Sequence, residues 1–513
     1  MKNKTIGYYA ALLAEAGLLI GDISEETAAR EIRQISCNSK EVCEDSLFLC
    51  KGAAFRAKYL TEALMRGAAA YVSEKEYPEG KDAKVLLVTD IRKAMAVLGE
   101  AFYEYPAEKL RIIGITGTKG KTTTAYYIRS ILDTWLADQK KKESAILSSI
   151  ESYDGEEYRP ARLTTPETLD LQKYLRKTVD AGVTCLTMEV SSQALKYNRI
   201  GSMQMETGVF LNISKDHISP QEHADFRDYF HSKLKMFCHC RNVCINLDAD
   251  RAGEILKAAQ GAERVWTFGM VPQADVSGSN IRMKEGHLYF HIRMPEYEGD
   301  IHVPMHGMFN AENALAAAAA CCSMGIPADC IVRGLSVVKV RGRMEEYRSC
   351  DGKKTVIVDY AHNRLSFEKL FESVHLKYPG HPVSVIFGCP GGKAYNRRKE
   401  LAVIADRYAD RIYLVPDDPG PEKPEEIAGE IRSYIRKRKD CCLYVADRAD
   451  AVARAIEETV PGTILLVLGK GCEASQKYAD RSVPCLSDCD SVREALKQYD
   501  RKHMGNAPVR VTG

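Results

Sequence analysis

The chain has 513 residues, of which 45% are hydrophobic and 28% charged, with 72 Lys and Arg against 70 Asp and Glu and a formal net charge of +2. At about 100–200 residues per domain this length implies three or so domains. A balance so close to zero removes any composition-level case for a nucleic-acid binder, whose affinity rests on neutralising phosphates. The longest apolar runs, Thr463 to Leu468 and Ala314 to Cys322, fall far short of the roughly 20 residues that span a bilayer. Neither nucleic acid nor membrane is expected as a partner.

Met1 to Ile20 is apolar at helical spacing, is interrupted by Glu15 and lacks a small-residue cleavage site, so it reads as a first helix and not a signal peptide. The seventeen cysteines are then expected to be thiols of a reducing cytoplasm. Cys238-His239-Cys240 with Cys244 is the one odd cluster. Neighbours on one strand or turn cannot all converge on an ion, which favours small buried cysteines over a zinc site.

The first hundred residues mix helices with short strands at Leu47 to Cys50, Ala69 to Val72 and Val85 to Thr89. From about Leu110, β-rich runs alternate with helical patterns, the signature of parallel α/β architecture. Strands are expected at Arg111 to Thr116, Cys185 to Val190, Thr207 to Ile213, Val243 to Leu247, Thr355 to Tyr360, Val383 to Phe387, Arg411 to Val415 and Ile464 to Leu468. Val276 to Val303 alternates like a small antiparallel sheet around Gly286. The expected domains are 1–108, 109–340 and 341–513. The basic runs Lys140 to Lys142 and Arg436 to Lys439 read as solvated surface, one after a helix and one ending one.

The sharpest motif is Gly114-Ile115-Thr116-Gly117-Thr118-Lys119-Gly120-Lys121-Thr122-Thr123. A hydrophobic strand enters a glycine-bearing turn, and Lys-Thr opens a helix. Backbone N–H groups and a helix N-terminus then face an anion together, as a phosphate-binding loop requires. Lys121 is expected to contact β- and γ-phosphates and the Thr122 hydroxyl to ligate Mg²⁺. The strict pattern wants glycine at 115, where Ile115 stands. Downstream, Phe226, Tyr229, Phe230 and Phe237 share a helical face with Lys233, whose ammonium would be costly against a core unless paired or modified.

This loop variant resembles the ATP-binding loop of the Mur ligases, the ATP-dependent amide-forming enzymes of peptidoglycan precursor synthesis. Further motifs follow in family order. Leu163-Thr164-Thr165-Pro166-Glu167 with Asp170-Leu171-Gln172 resembles the substrate loop of the MurE-type branch. Met188 to Leu195 with Arg199 resembles its next motif, with Gln193 where histidine is usual. Asn212 to His217 resembles a metal-binding segment, Gly307 to Asn313 an adenine-holding one, and Gly342 to Glu345, Asp359 to His362 and Gly469 to Gly471 the third-domain motifs.

The resemblance implies three α/β domains: an N-terminal UDP-sugar-binding domain, a central P-loop-type parallel sheet with helices on both faces that binds ATP, and a Rossmann-like C-terminal domain for the amino acid. It implies ATP and Mg²⁺ as cofactors and an acyl-phosphate route, in which the protein neutralises charge and holds groups in line. Lys121, Lys233 and His217 are implied as catalytic. ATP is assigned to Gly117, Thr118, Lys119, Gly120, Lys121, Thr122, Thr123, Asn310, Arg343, Asp359 and His362. Nucleotide-sugar and dipeptide fall to Asn38, Ser39, Thr164, Thr165, Ser191 and Arg199. The incoming amino acid falls to Asp417, Asp418, Gly469 and Glu473. Metal falls to Thr122, Glu189, His217 and Lys233, the last if carbamylated by CO₂.

The chain departs from the family pattern in the first domain, where Asn38-Ser39-Lys40 replaces Asp-Ser-Arg and loses a guanidinium fork. Gly388 to Lys393 lacks the usual Gly-Asp-Arg-Asp, and Cys472 follows Gly471 where histidine is typical. Asp417-Asp418-Pro419-Gly420 has glycine where diaminopimelate-adding enzymes carry an arginine for the distal carboxylate. The expected reaction therefore adds L-lysine or another diamino acid, not meso-diaminopimelate, to UDP-N-acetylmuramoyl-L-Ala-D-Glu, carried out by a cytoplasmic monomer on small-molecule substrates. The rival readings are a paralogue acting on a poly-glutamyl or folate-type carboxylate and a catalytically weakened ATP-binding partner.

Overall fold

The computed structural model describes residues 4–52, 55–216, 218–219, 222–284, 287–305, 307–340, 342–479 and 481–504. His217, expected as a catalytic metal ligand, lies outside the described residues. Most strands belong to three sheets of five, eleven and six strands, each combining parallel strands with antiparallel edges.

At the N-terminus Thr5 accepts a hydrogen bond from the Tyr8 amide (3.3 Å) and starts the helix Ile6–Glu15, supplying one of the acceptors a helix start lacks. Its buried face, Ile6, Tyr9, Ala10 and Leu13, joins the core beneath the parallel strands Gln34–Ser36, Ser46–Leu49, Ala68–Ser73 and Lys84–Val88.

In the middle sheet Arg111–Thr116 sits between Cys185–Glu189 and Met205–Phe210, all parallel. Ala145–Leu147 lies beyond Cys185–Glu189, and Cys240–Asn246 and Arg264–Gly269 lie on the other side. The expected small antiparallel sheet over 276–303 is instead an extension of this one. Val276 pairs in parallel with Phe268, and Val276–Lys284, His287–Met294 and Tyr297–Val303 then continue antiparallel. Leu288, Phe290, Ile292 and Val303 all join the core that holds the phosphate-loop helix, so separation would expose that face.

The helix Lys121–Asp138 runs from the end of the central strand and packs against the alanine-rich helix Asn310–Ser323 and the helix Ala328–Ser336. Ala316 to Ala320 are fully buried, and small residues are what let helices approach this closely. At Gly334 a Cβ would stand 2.5 Å from the Ile131 Cα.

The third sheet orders Glu345–Arg348, Thr355–Asp359, Ile464–Leu468, Val383–Phe387, Arg411–Leu414 and Cys442–Tyr444, all parallel but the first. The basic run 436–439 does not end a helix, since the preceding helix is Pro424–Ser433. Asp406 instead accepts the backbone N–H groups of Arg436, Lys437 and Arg438 at 3.1, 2.9 and 2.8 Å, and an acceptor that distant in sequence leaves no local trace. Among the described residues no helix is long and apolar enough to cross a membrane.

Gly334→Ala is expected to destabilise the protein by about 1–3 kcal/mol through overpacking against a backbone atom, read as a lower urea midpoint at unchanged slope.

Candidate active site

The strand Arg111–Thr116 ends where Gly117 begins a turn, and the helix starts at Lys121 with Gly120 at φ 84° as its cap. A Cβ at Gly120 would lie 2.3 Å from Asn313 Oδ1, so glycine is required there on grounds of space and conformation alike. The turn is held from outside by Asn212, two residues beyond the end of the neighbouring strand Met205–Phe210. Its Oδ1 accepts the Thr118 and Lys119 amides at 3.1 and 2.9 Å, and its Nδ2 donates to the Lys119 carbonyl at 3.2 Å. Lys121 Nζ donates to the Gly117 carbonyl at 2.9 Å.

The carboxyl ends of the parallel strands in the middle and third sheets open on one cleft of about 340 Å³, the usual placement of ligands in open α/β sheets. From the middle sheet come Thr118, Lys119, Gly120, Lys121, Thr122, Thr123, Thr164, Glu189 and Asp216. From the third come Arg343, His362, Arg397, Asp417, Asp418, Gly469 and Glu473. The Thr122 hydroxyl lies 2.9 Å from Ser149 Oγ and accepts from Arg343 Nη2 at 3.2 Å. Glu189, 1% exposed, accepts the Ser149 amide at 2.7 Å. Asp216 pairs with Lys119 at 3.3 Å and with Arg397 at 2.8 Å, and accepts from Asn363 Nδ2 at 3.3 Å.

Burial sets the electrostatics. Lys119 is brought down to about 8 by burial, against the pull of Asp216, and Lys121 is lowered for the same reason. Burial, with Arg397 and Lys119 adding to it, puts His362 well below the usual imidazole range. Its Nδ1 lies 2.7 Å from the Tyr360 carbonyl, which holds the proton on Nδ1 and leaves Nε2 as an acceptor. At the far end burial raises Asp417. It acts on Asp418 too, but there Lys470 Nζ at 2.9 Å outweighs it and the carboxyl is lowered. Burial pushes Glu473 up to about 7, with Asp488 adding to it and Lys477 and Arg343 opposing; Lys470 Nζ lies 2.9 Å from its carboxyl.

Residues 115–321 match the Mur ligase middle domain and residues 342–471 the Mur ligase glutamate ligase domain. The chain is 38% identical over 473 residues to the UDP-N-acetylmuramoyl-L-alanyl-D-glutamate–L-lysine ligase of Enterococcus faecalis, covering 91% of this chain and 92% of that one. It is 35% identical over 510 residues to the UDP-N-acetylmuramyl-tripeptide synthetase of Lactobacillus acidophilus, covering 95% and 97%. The chain belongs to the Mur ligase family. A solved UDP-N-acetylmuramoyl-L-alanyl-D-glutamate–2,6-diaminopimelate ligase shares the fold with a TM-score of 0.63 at 24% identity, covering 93% of this chain and 97% of that one. The protein is thus an ATP-dependent ligase, and Mur ligases use ATP and Mg²⁺.

In this Mur ligase the residues present suit an anionic nucleotide. Among the described residues, the Nε atoms of Arg343 and Arg397 are buried with no hydrogen-bond partner, and both guanidinium groups line the cleft beside the phosphate loop. Thr122 and Glu189 offer the hard oxygen donors Mg²⁺ prefers. Lys233 stands just behind the loop on the helix Phe226–Leu234, 1% exposed, with Nζ donating to the Gly117 carbonyl at 2.8 Å and 4.8 Å from the Tyr229 ring centre. Burial and then Lys121 push its amine well below the usual lysine range.

Other expected residues are placed away from the cleft wall. Asp359 accepts the Met344 and Ala361 amides, both at 2.8 Å, shaping the turn that carries Arg343. Asn310 accepts from Asn313 Nδ2 at 2.8 Å. Thr165 is fully buried, accepting the Ser191 amide at 3.0 Å and donating to the Glu189 carbonyl at 2.9 Å. Ser191 caps its helix through the Ala194 amide. Arg199 pairs with Glu167 at 2.7 Å, and the same carboxylate pairs with Lys51 of the first sheet's region. Asn38 is spent on Glu41 and the Lys40 amide, and Ser39 donates to Glu62. Reading the sequence missed Asn212's grip on the loop, Ser149 and Arg397. Their partners lie 27 to 181 residues away, a distance no local pattern carries.

Glu473 yields a signed pH dependence. A carboxyl raised from 4.5 to about 7 in the folded state contributes stability that is full below pH 4.5 and lost as pH rises through about 7. The melting temperature of Glu473→Gln relative to the parent protein should therefore climb across that window, and a flat difference would remove the shift.

Proposed function

We propose that this protein joins an L-diamino acid, L-lysine or one of similar end chemistry, to UDP-N-acetylmuramoyl-L-Ala-D-Glu at the expense of ATP. The observation that carries this reading is a cleft that is cationic where it meets the phosphate loop and lined at its other end by Asp417, Asp418 and Glu473. The acidic end suits an ammonium-tipped side chain and disfavours a second carboxylate. Gly420 offers no guanidinium to such a carboxylate, and the E. faecalis relative carries L-lysine in its name. The poly-glutamyl, folate-type and weakened-partner readings are not favoured, because relatives 35–38% identical over nearly the whole chain are tripeptide synthetases.

In this mechanism the dipeptide carboxylate attacks the γ-phosphorus, ADP departs, and the amino group of the incoming amino acid attacks the acyl carbon as phosphate leaves. Both partners of the first step are anions, so the barrier is mainly charge and alignment. Lys121, Lys119 and Arg343 spread that charge, and the amides of residues 117–123 cradle the phosphates. Thr122 and Glu189, with His217 and a carbamylated Lys233, would hold Mg²⁺, which neutralises the phosphates when bound. Burial lowers the Lys233 amine, which favours the neutral form to which CO₂ adds. Asn310 is assigned to adenine, Asp359 and His362 to the nucleotide side, and Asn38, Ser39, Thr164, Thr165, Ser191 and Arg199 to shaping the sugar-dipeptide path. Residues 1–108, 109–340 and 341–513 take nucleotide-sugar, ATP and amino acid respectively, in a cytoplasmic monomer.

Phosphate release should require the UDP-muramoyl dipeptide and run about tenfold or more faster with L-lysine or L-ornithine than with meso-diaminopimelate, the worth of one unmatched charge-assisted contact. Preference for diaminopimelate would refute the assignment. Lys121→Ala should lower kcat about 10²–10³-fold. A Lys233→Ala protein with full activity would remove the carbamylation.

A further inference from the structure

Behind the glycine loop Gly469 to Glu473, on the side away from the cleft, three potential ligand atoms converge from three elements. Cys472 Sγ of the loop lies 3.3 Å from Cys489 Sγ in the first turn of the helix Asp488–Met504. Cys489 Sγ lies 3.4 Å from Glu345 Oε2 on the strand Glu345–Arg348. All three atoms are within 4.8 Å of one another. Cys489 is fully buried, and Cys472 and Glu345 are half-buried.

We propose that Glu345, Cys472 and Cys489 form a binding site for a thiophilic divalent cation, Zn²⁺ by ligand type. A tetrahedral zinc with Zn–S of about 2.3 Å and Zn–O of about 2.1 Å needs S···S near 3.8 Å and S···O near 3.6 Å. The present 3.3 and 3.4 Å open to those values with shifts of a few tenths of an ångström, leaving a fourth position for water. The carboxylate separates this reading from a simple redox pair. Beside two thiols it hinders the thiolate that disulfide formation needs, whereas in a metal site it is a third ligand.

The frame is already built. Gly471 donates its amide to Asp488 Oδ2 at 3.0 Å and accepts the Cys489 amide at 3.3 Å, fixing loop against helix. Glu345 Oε2 accepts the Gly342 amide at 2.8 Å, while Oε1 accepts from Tyr347 Oη at 2.6 Å and Arg493 Nη2 at 3.3 Å. Such outer contacts orient ligands and tune affinity. Charge closes as well. Binding releases two thiol protons to solvent, and two thiolates and one carboxylate are balanced by the dication and Arg493. Because the two sulfur ligands bind as thiolates, uptake strengthens with rising pH. A Cβ on Gly342 would lie 3.0 Å from Cys472 Sγ, so the cation would pin the loop bearing Gly469 and Glu473 directly against the segment that carries Arg343.

Cobalt(II) titration of the full-length, chelator-stripped protein tests this. Expected are one equivalent of uptake with sulfur-to-cobalt charge-transfer absorption, displacement by zinc, and protection of two of the seventeen thiols from a thiol reagent. Cys472→Ser, at a half-buried position, and Cys489→Ser should each abolish the absorption. Glu345→Gln should keep it with about tenfold weaker binding. Zinc should raise the melting temperature of the parent protein and not of Cys472→Ser, which keeps the test independent of folding losses. Absorption that persists in Cys472→Ser, or a parent protein that takes up no cobalt and instead pairs these thiols as a disulfide, overturns the site.

Discussion

The Asp216 carboxylate joins two cationic surfaces that would otherwise repel. Lys119 and Lys121 stand on the phosphate loop, and Arg343 and Arg397 face them from the third sheet. Like charges a few ångströms apart cost about 4 kcal/mol per pair near a protein surface, so sheets bearing them do not close on each other unaided. Asp216 meets Lys119 and Arg397 with its two oxygens and receives Asn363 as well. Its side chain is 8% exposed, and at that burial removing one partner would leave an uncompensated charge, at about 3–5 kcal/mol. This carboxylate thus offsets part of the repulsion between the two walls of the cleft.

The same constraint governs Lys233. Its amine is buried behind the loop with Lys121 close by, and both lysines donate to the Gly117 carbonyl. Two amines sharing one neutral acceptor in a dry site disfavour each other's charge, and burial lowers the deeper one, Lys233, well below the usual lysine range. Burial alone would favour a hydrocarbon at this position. The lowered amine favours the neutral form that the proposed carbamylation requires, and the product would reverse the sign of charge behind the phosphates.

Legibility followed distance along the chain. The phosphate loop was readable because strand, glycine turn and helix start lie within ten residues, each stage limiting the next. The parallel strands were readable because burial on both faces writes continuous apolar runs. Thr165 and Asn38 were readable as positions but not as roles, since the same hydroxyl or amide can face a ligand or tie down backbone, and here both tie down backbone. The Asn212 bonds to the loop, the Asp406 acceptor for three amides and the pairing of Cys472 with Glu345 and Cys489 were invisible. Each joins segments whose approach is decided by sheet order rather than by neighbouring residues. The hairpins at 276–303 were read correctly as antiparallel and wrongly as separate, because alternation reports which face is buried and not which strand lies beside it.

The acidic end of the cleft carries its specificity in the backbone as much as in side chains. Gly420 adopts φ 59° and is held there by two backbone contacts, its amide donating to the Lys477 carbonyl and its carbonyl accepting from Ala479, while a Cβ would meet nothing nearer than the Gly391 carbonyl at 3.5 Å. Space for a side chain is therefore present, and conformation is what opposes it, at about 1–2 kcal/mol for a residue other than glycine in the left-handed region. The chain on either side is fixed by Asp418, which accepts the Lys477 amide at 3.0 Å and binds Lys470. An arginine placed at 420 would have to distort this turn before it could reach a distal carboxylate, and the lowered Asp418 carboxyl would meet that carboxylate with like charge. In the proposed reading, selection against a second acid would rest on this turn and the neighbouring carboxyl groups together, and not on the identity of residue 420 alone.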